Sequence, residues 1–225
     1  MKFGLIGHPV EHSLSPQLFG EAYGSGHSYD LIDEADFDKA WDIFISRYDG
    51  INVTAPFKEK ALAKADILSP ECAKTGATNL VVKTASGTKA FNSDYLGLKA
   101  LLKDLGITEG VALIIGFGGA GKAAAAAAAD LGLDVVICNR TTSKAEGIRP
   151  LDEIPVLSTV ADVAIYTLPV SIPELEEASF SCLIEANYRD PQAADASAEK
   201  YIPGTEWLRY QALTGFPILI DGHNL

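Results

Sequence analysis

The chain has 225 residues, of which 48% are hydrophobic and 21% charged, and a formal net charge of −12. That is enough for one large domain or two small ones of soluble globular type, and the acidic balance argues against a nucleic-acid backbone or an anionic membrane as partner. Cys72, Cys138 and Cys182 are odd in number and far apart, which points to a reducing, cytoplasmic setting and against a disulfide framework or a zinc site.

Lys2–Gly7 is read as a short apolar strand that meets glycine too soon for a signal sequence, and no run is long enough to span a bilayer. In His12-Ser13-Leu14-Ser15-Pro16, Ser15 is read as a helix N-cap with Pro16 at the first helical position. Ser13 and Ser15, two apart in an extended segment, can aim their hydroxyls the same way and would suit a carboxylate at the helix start. Tyr29–Ile32 is predicted as a strand, and Phe37, Ala40, Trp41, Phe44 and Ile45 recur at helical spacing.

In Gly50–Lys58, Ile51, Val53, Ala55 and Phe57 alternate with Asn52, Thr54 and Lys58, so an extended chain would bury one side and leave polar groups on the other. Pro56 ends the pairing, which sets Lys58 at the end of a strand. The resulting β-α-β-α-β order predicts a parallel sheet. Ser69-Pro70 restarts a short helix, Leu80–Val82 and Thr88–Phe91 form a hairpin around Ser86-Gly87, and Asn92-Ser93-Asp94 precedes an amphipathic helix. Asn79, Asp94 and Lys58 are thus expected at neighbouring strand ends, although Asp94 also suits a helix N-cap.

Val111–Ile115 reads as a buried parallel strand, followed by Gly116-Phe117-Gly118-Gly119-Ala120-Gly121 and an alanine-rich helix. A G-x-G-x-x-G loop between strand and helix is the dinucleotide fingerprint. After the next strand, Asp134–Cys138, a chain selective for NAD carries an acidic residue for the ribose; here Asn139, Arg140, Thr141 and Lys144 stand instead, which favours NADP. Further strands are predicted at Ala161–Leu168 and Cys182–Glu185, with a closing helix over Gly204–Ala212 and no assignment for Phe216–Leu225.

Taken in order, His12–Pro16, Asn52–Lys58, Gly76–Asn79, Asn92–Asp94, the glycine loop, Asn139–Thr141 and Gly204–Gln211 resemble the shikimate dehydrogenase family over most of the chain. The resemblance implies a substrate-binding α/β domain (1–94 with 204–225) and a Rossmann-like NADP-binding domain with a parallel sheet (95–203), with the active site in the cleft between them. It implies reversible, NADP-dependent reduction of 3-dehydroshikimate to shikimate, a step towards aromatic amino acids, by a monomer or homodimer. Lys58 matches the catalytic lysine and Asp94 its carboxylate partner. Ser13 and Ser15 match the substrate-carboxylate residues, and Thr54, Asn79, Gln211 and Tyr188 match further substrate contacts.

Tyr166–Pro173 lacks the Asn-Ala-Thr and Gly-Met pairs usual near the nicotinamide, Trp207 replaces a common methionine, and the final helix is expected to be shortened or absent. Alternatives are a relative acting on quinate or another cyclic hydroxy acid, and a non-catalytic protein that senses such a ligand.

Overall fold

The computed structural model describes residues 1–222, except for the side chain of Lys144. The chain forms two compact units: Met1–Ser93 with the chain from Gln211 onward, and Asp94–Tyr210. The first unit contains β1 (Lys2–Gly7), α1 (Ser15–Tyr23), β2 (Ser28–Asp33), α2 (Phe37–Arg47), β3 (Gly50–Val53), α3 (Lys58–Lys64), β4 (Ile67–Leu68), α4 (Pro70–Thr75), β5 (Leu80–Thr84) and β6 (Gly87–Phe91). Its six strands run in the order β2-β1-β3-β5-β6-β4. β1 is parallel to β2 and β3, as the β-α alternation predicts, while β5 is antiparallel to both β3 and β6.

Strand periodicity divides the first unit's core in two. Leu80 and Val82 join Phe3, Phe19 and Phe91 on one face, while Val81 joins Ile6, Ile51, Val53, Trp41 and Phe44 on the other. The Asp36 carboxylate caps α2, accepting the N–H groups of Asp38 and Lys39 at 2.9 and 3.3 Å. α1 departs from expectation: Ser15 is its first helical residue, and the Ser15 N–H donates to Ser13 Oγ at 3.2 Å. The N-cap position falls on Leu14, which gives no side-chain cap, so Ser15 is not the N-cap.

The strand expected to carry Lys58 ends early. β3 stops at Val53, Ala55 is exposed, and Lys58 opens α3. The Thr54 N–H still pairs with the Ile6 carbonyl at 3.0 Å, but the Phe57 N–H turns back onto the Thr54 carbonyl at 3.0 Å. That turn accommodates Pro56 and buries Phe57 beside Phe37.

The second unit contains α5, which starts at the boundary (Ser93–Asp104), then β7 (Val111–Ile115), α6 (Gly119–Ala129), β8 (Asp134–Cys138), α7 (Ile154–Ser158), β9 (Val163–Tyr166), α8 (Glu174–Glu177), β10 (Ser179–Glu185) and β11 (Ser197–Ile202). All its strand pairs are parallel, in the order β11-β10-β9-β7-β8. Ala123, Ala124, Ala127 and Ala128 of α6 pack with Ala112, Ile114 and Ile165, small side chains that let helix and sheet approach closely. β7 has β8 on one side and β9 on the other, which makes its carboxyl end a topological switch point. β9 is shorter than predicted, β10 begins before Cys182, and β11 was not anticipated.

The last helix, α9 (Gly204–Asp221), extends well beyond the closing helix predicted over Gly204–Ala212. It continues past Ala212 through Pro217, because Phe216 and Leu219 bury against Phe3, Phe19 and Leu80. The unit boundary also shifts, with Asp94 and the start of α9 in the second unit. The physical reason is Trp207, which is buried beside Tyr95, Leu98 and Leu102 and donates its indole N–H to the Asp94 carbonyl at 3.0 Å. Among the described residues, no helix is long and apolar enough to cross a membrane.

Leu219 is fully buried, so Leu219→Ala should cost about 2–5 kcal/mol, read from urea unfolding. A loss under ~1 kcal/mol would show that this part of α9 does not complete the core.

Candidate active site

In the first unit Ser13, Ser15 and Asn79 are held by side-chain hydrogen bonds. Ser13 Oγ donates to Ser15 Oγ at 3.1 Å, so the two hydroxyls do converge. The loop that carries them is anchored by Asp33 at the end of β2, whose carboxylate pairs with His8 Nδ1 at 2.6 Å and accepts the Val10 N–H at 3.3 Å. The Val10 carbonyl in turn accepts the Ser13 N–H at 3.0 Å. The His8 contact first, and the Val10 N–H second, hold the Asp33 carboxyl below its ordinary pKa.

Tyr29 begins a hydrogen-bonded series across the sheet. Burial raises its phenol pKa, while a hydrogen bond with Ser15 acts in the opposite direction. Its hydroxyl donates to Asn52 Oδ1 at 2.8 Å, and Asn52 Nδ2 donates to the Asn79 carbonyl at 3.2 Å. Asn79 then binds Ser93 with its side chain: Oδ1 accepts the Ser93 N–H at 2.7 Å, and Nδ2 donates to Ser93 Oγ at 3.0 Å. Hydrogen bonds therefore run Tyr29–Asn52–Asn79–Ser93, while Ser13 and Ser15 are bonded to each other. Tyr29 is read from the sequence only as a strand residue, whereas Asn52 opens the Asn52–Lys58 motif and stands on its polar side.

Thr54 lies just after β3 and Lys58 at the start of α3. The Lys58 carbonyl accepts the Thr78 N–H at 3.2 Å, which ties the start of α3 to the segment leading into Asn79. Gln211 lies one turn before Gly215, on the same face of α9. A Cβ on Gly215 would come within 3.0 Å of the Ser93 side chain. The structure thus joins Ser13 with Ser15 and, through shared backbone, Asn79 with Lys58. Asp94 follows Ser93 in the chain, but it is buried in the first turn of α5 and counts with the second unit, as does Tyr188 after β10.

In the second unit the glycine loop sits at the switch point. Gly116 has φ of +100°, a left-handed conformation that favours glycine. A Cβ on Gly121 would lie 2.1 Å from the Gly116 carbonyl oxygen, so no larger residue fits without displacing β7 from α6. Gly118 and Gly119 differ: a Cβ on either would meet nothing within 4 Å. Their backbone borders open space at the start of α6, where no side chain caps the helix. Helix N–H groups there suit an anionic, phosphate-bearing ligand.

At the end of β8, Asn139 is buried and its Nδ2 donates to the Thr141 carbonyl at 3.0 Å. That turn leaves Arg140 and Thr141 exposed beside the switch point; the Lys144 side chain lies outside the described residues. Burial pushes the Cys72 and Cys138 thiols up to about 11 and raises Cys182 as well, so all three are neutral near pH 7 and none is an activated nucleophile. Sequence reading also overlooked Glu185, which is fully buried at the end of β10.

A family model described as the shikimate dehydrogenase substrate binding domain matches residues 5–81. The chain is 33% identical over 246 residues to shikimate dehydrogenase (NADP(+)) of Halobacterium salinarum, an alignment covering 95% of this chain and 91% of that protein. This chain belongs to the shikimate dehydrogenase family. The family enzyme of Thermus thermophilus is 38% identical over 160 residues, which cover 64% of this chain and only 57% of that relative. A crystal structure of Thermus thermophilus shikimate 5-dehydrogenase with NADP(H) and shikimate superposes with a TM-score of 0.81 at 28% identity, covering 97% of this chain and 93% of that one.

The two kinds of glycine in the family's loop separate by substitution. Gly121→Ala should lower the thermal unfolding midpoint by several degrees, as a strained close contact does. Gly118→Ala should leave it within about a degree, since its methyl enters open space. Equal destabilisation by both would remove the distinction.

Proposed function

We propose that the chain catalyses the reversible, NADP-dependent interconversion of shikimate and 3-dehydroshikimate. The observation that carries the reading is two bonded groups in the first unit, Ser13 with Ser15 and the series Tyr29–Asn52–Asn79–Ser93, with Thr54 just after β3 and Lys58 at the start of α3. A small ring with one carboxylate and several hydroxyls needs many fixed donors and acceptors around a compact space. Ser13 and Ser15 supply the carboxylate end, and Thr54, Asn79 and Gln211 supply hydroxyl contacts.

In this reading Lys58 and Asp94 are the proton-transfer pair, and Tyr188 adds a further substrate contact. In the oxidative direction the reacting hydroxyl gives its proton to the pair at Lys58 Nζ while its carbon loses a hydride. In reduction the Lys58 ammonium stabilises charge developing on the carbonyl oxygen and returns the proton there. NADP(H), when bound, would supply the hydride acceptor or donor. The chain's own residues fit a dinucleotide. Open space borders Gly118 and Gly119, Gly121 seats helix against strand, and Ala120 lies in the uncapped first turn. Asn139 shapes the turn that presents Arg140 and Thr141, which with Lys144 would bind a 2′-phosphate where NAD-selective chains carry a carboxylate. Three free, buried cysteines suit a reducing cytoplasm.

Following NADP⁺ reduction with shikimate, with quinate and without substrate tests the reading directly. Turnover with shikimate supports it; turnover with quinate alone moves the substrate assignment, and absence of both rejects it. Lys58→Ala should lower kcat by at least about 100-fold, while NADP affinity changes little. Parallel loss of both would count against Lys58 as the proton donor. Arg140→Ala should raise the apparent KM for NADP about tenfold and barely alter that for NAD. Equal weakening of the two cofactors would reject 2′-phosphate recognition.

A further inference from the structure

Glu185 is a fully buried carboxylate that the proton-transfer scheme does not use. It closes β10, one of the central strands of the second sheet, and is surrounded by donors. Its Oε1 accepts Asn187 Nδ2 at 3.1 Å and the Gln192 N–H at 2.5 Å. Its Oε2 accepts the Ala193 N–H at 3.3 Å and the Tyr201 hydroxyl at 2.5 Å. Burial and the Glu185 contact raise the Tyr201 pKa, so this hydroxyl keeps its proton and remains a donor.

These bonds converge on one short piece of chain. Residues 187–193 leave β10 and return to the same carboxylate at both ends, as a closed loop with Tyr188 near its start. Asn187 Nδ2 also donates to the Leu168 carbonyl at 2.8 Å, and Gln192 Oε1 accepts the Ser171 N–H at 2.9 Å. The loop after β9 is therefore held by the same two residues. A second constraint comes from Gly204 at the start of α9. A Cβ there would lie 2.6 Å from the Asn187 carbonyl carbon and oxygen and 2.7 Å from the Tyr188 nitrogen. The backbone of Asn187 and Tyr188 is thus gripped between a buried carboxylate and a helix start that only glycine admits.

We propose that Glu185 is a positioning residue that sets Tyr188 for substrate, with Tyr201 as its supporting donor. The inference rests on the reading of Tyr188 as a substrate contact of a shikimate dehydrogenase. A buried carboxylate with four donors is hard to replace by its amide. Glu185→Gln turns an NH2 towards either the Gln192 or the Ala193 N–H, so one donor faces another. Tyr201→Phe is gentler, because it deletes one donor and keeps the carboxylate.

The test measures kcat and KM for shikimate in Glu185→Gln and Tyr201→Phe, each alone and in a Tyr188→Phe background, together with the rise in Tm caused by shikimate. Each single variant should raise KM by about fivefold to fiftyfold while kcat stays within about threefold. The shikimate-induced rise in Tm should shrink in parallel. In the Tyr188→Phe background neither variant should raise KM further, because the group being positioned is gone. The same fold-rise in both backgrounds, or an unchanged KM in the Tyr201→Phe enzyme, overturns the proposal. If Glu185→Gln does not fold, the Tyr201→Phe pair decides alone. A wild-type protein that neither turns over shikimate nor gains Tm from it rejects the dehydrogenase reading and this inference with it. An active wild type with additive variants rejects this inference only.

Discussion

The side-chain amide of Asn79 is the interaction on which the first unit's polar architecture depends. Placed before β5, it satisfies both the N–H and the hydroxyl of Ser93, while the Asn79 backbone carbonyl accepts Asn52 Nδ2. Asn79 and Ser93 are buried, so an unmet donor or acceptor at any point would carry a desolvation cost of about 1–3 kcal/mol. That cost makes the array specific: each member has one low-energy orientation, set by its neighbours. β2, β3, the entry to β5 and the start of α5 are thereby tied together by hydrogen bonds before any ligand arrives. Preorganisation of that kind limits the ordering entropy that binding must overcome.

Where apolar period and turn chemistry agreed, the sequence was readable. The β-α-β-α-β opening, the hairpin after Leu80, the buried β7 and the glycine loop all combine a clear pattern with an unambiguous breaker. The convergence of Ser13 and Ser15 was legible for the same reason, since two hydroxyls two apart beside Pro16 have few arrangements. The failures have equally local causes. Lys58 was placed on a strand because alternation persists through Phe57, but the turn that accommodates Pro56 exposes Ala55 and starts a helix. β11 was invisible because Ser197–Ile202 lies at a sheet edge, where half-exposed strands lose their apolar alternation. Residues past Ala212 could not be assigned because packing of Phe216 and Leu219, rather than propensity, carries α9 through Pro217.

Two features had a signal that went unread. Glu185 ends the run Ser179–Glu185 as its one charge, and a lone carboxylate closing a buried parallel strand calls for donors nearby. Trp207 stands in the sequence where methionine is common in the family. Its larger ring fills the core between α5 and α9, and its indole N–H satisfies the Asp94 carbonyl. A methionine would leave that carbonyl without this donor. Both cases show polar satisfaction and volume determining residues that spacing alone leaves open.

The first unit is discontinuous, and this affects how the chain matures. Phe3, Phe19, Leu80 and Phe91 form a sheet face that Phe216 and Leu219 complete only after the whole second unit has been made. During synthesis at about 5–20 residues per second, that face stays partly uncovered for several seconds while the intervening chain emerges. The second unit, by contrast, has its sheet and most of its covering helices within one uninterrupted stretch and can condense as soon as it leaves the ribosome. The inserted unit is contiguous in the chain, whereas the core of the first unit is closed only by the last residues of α9.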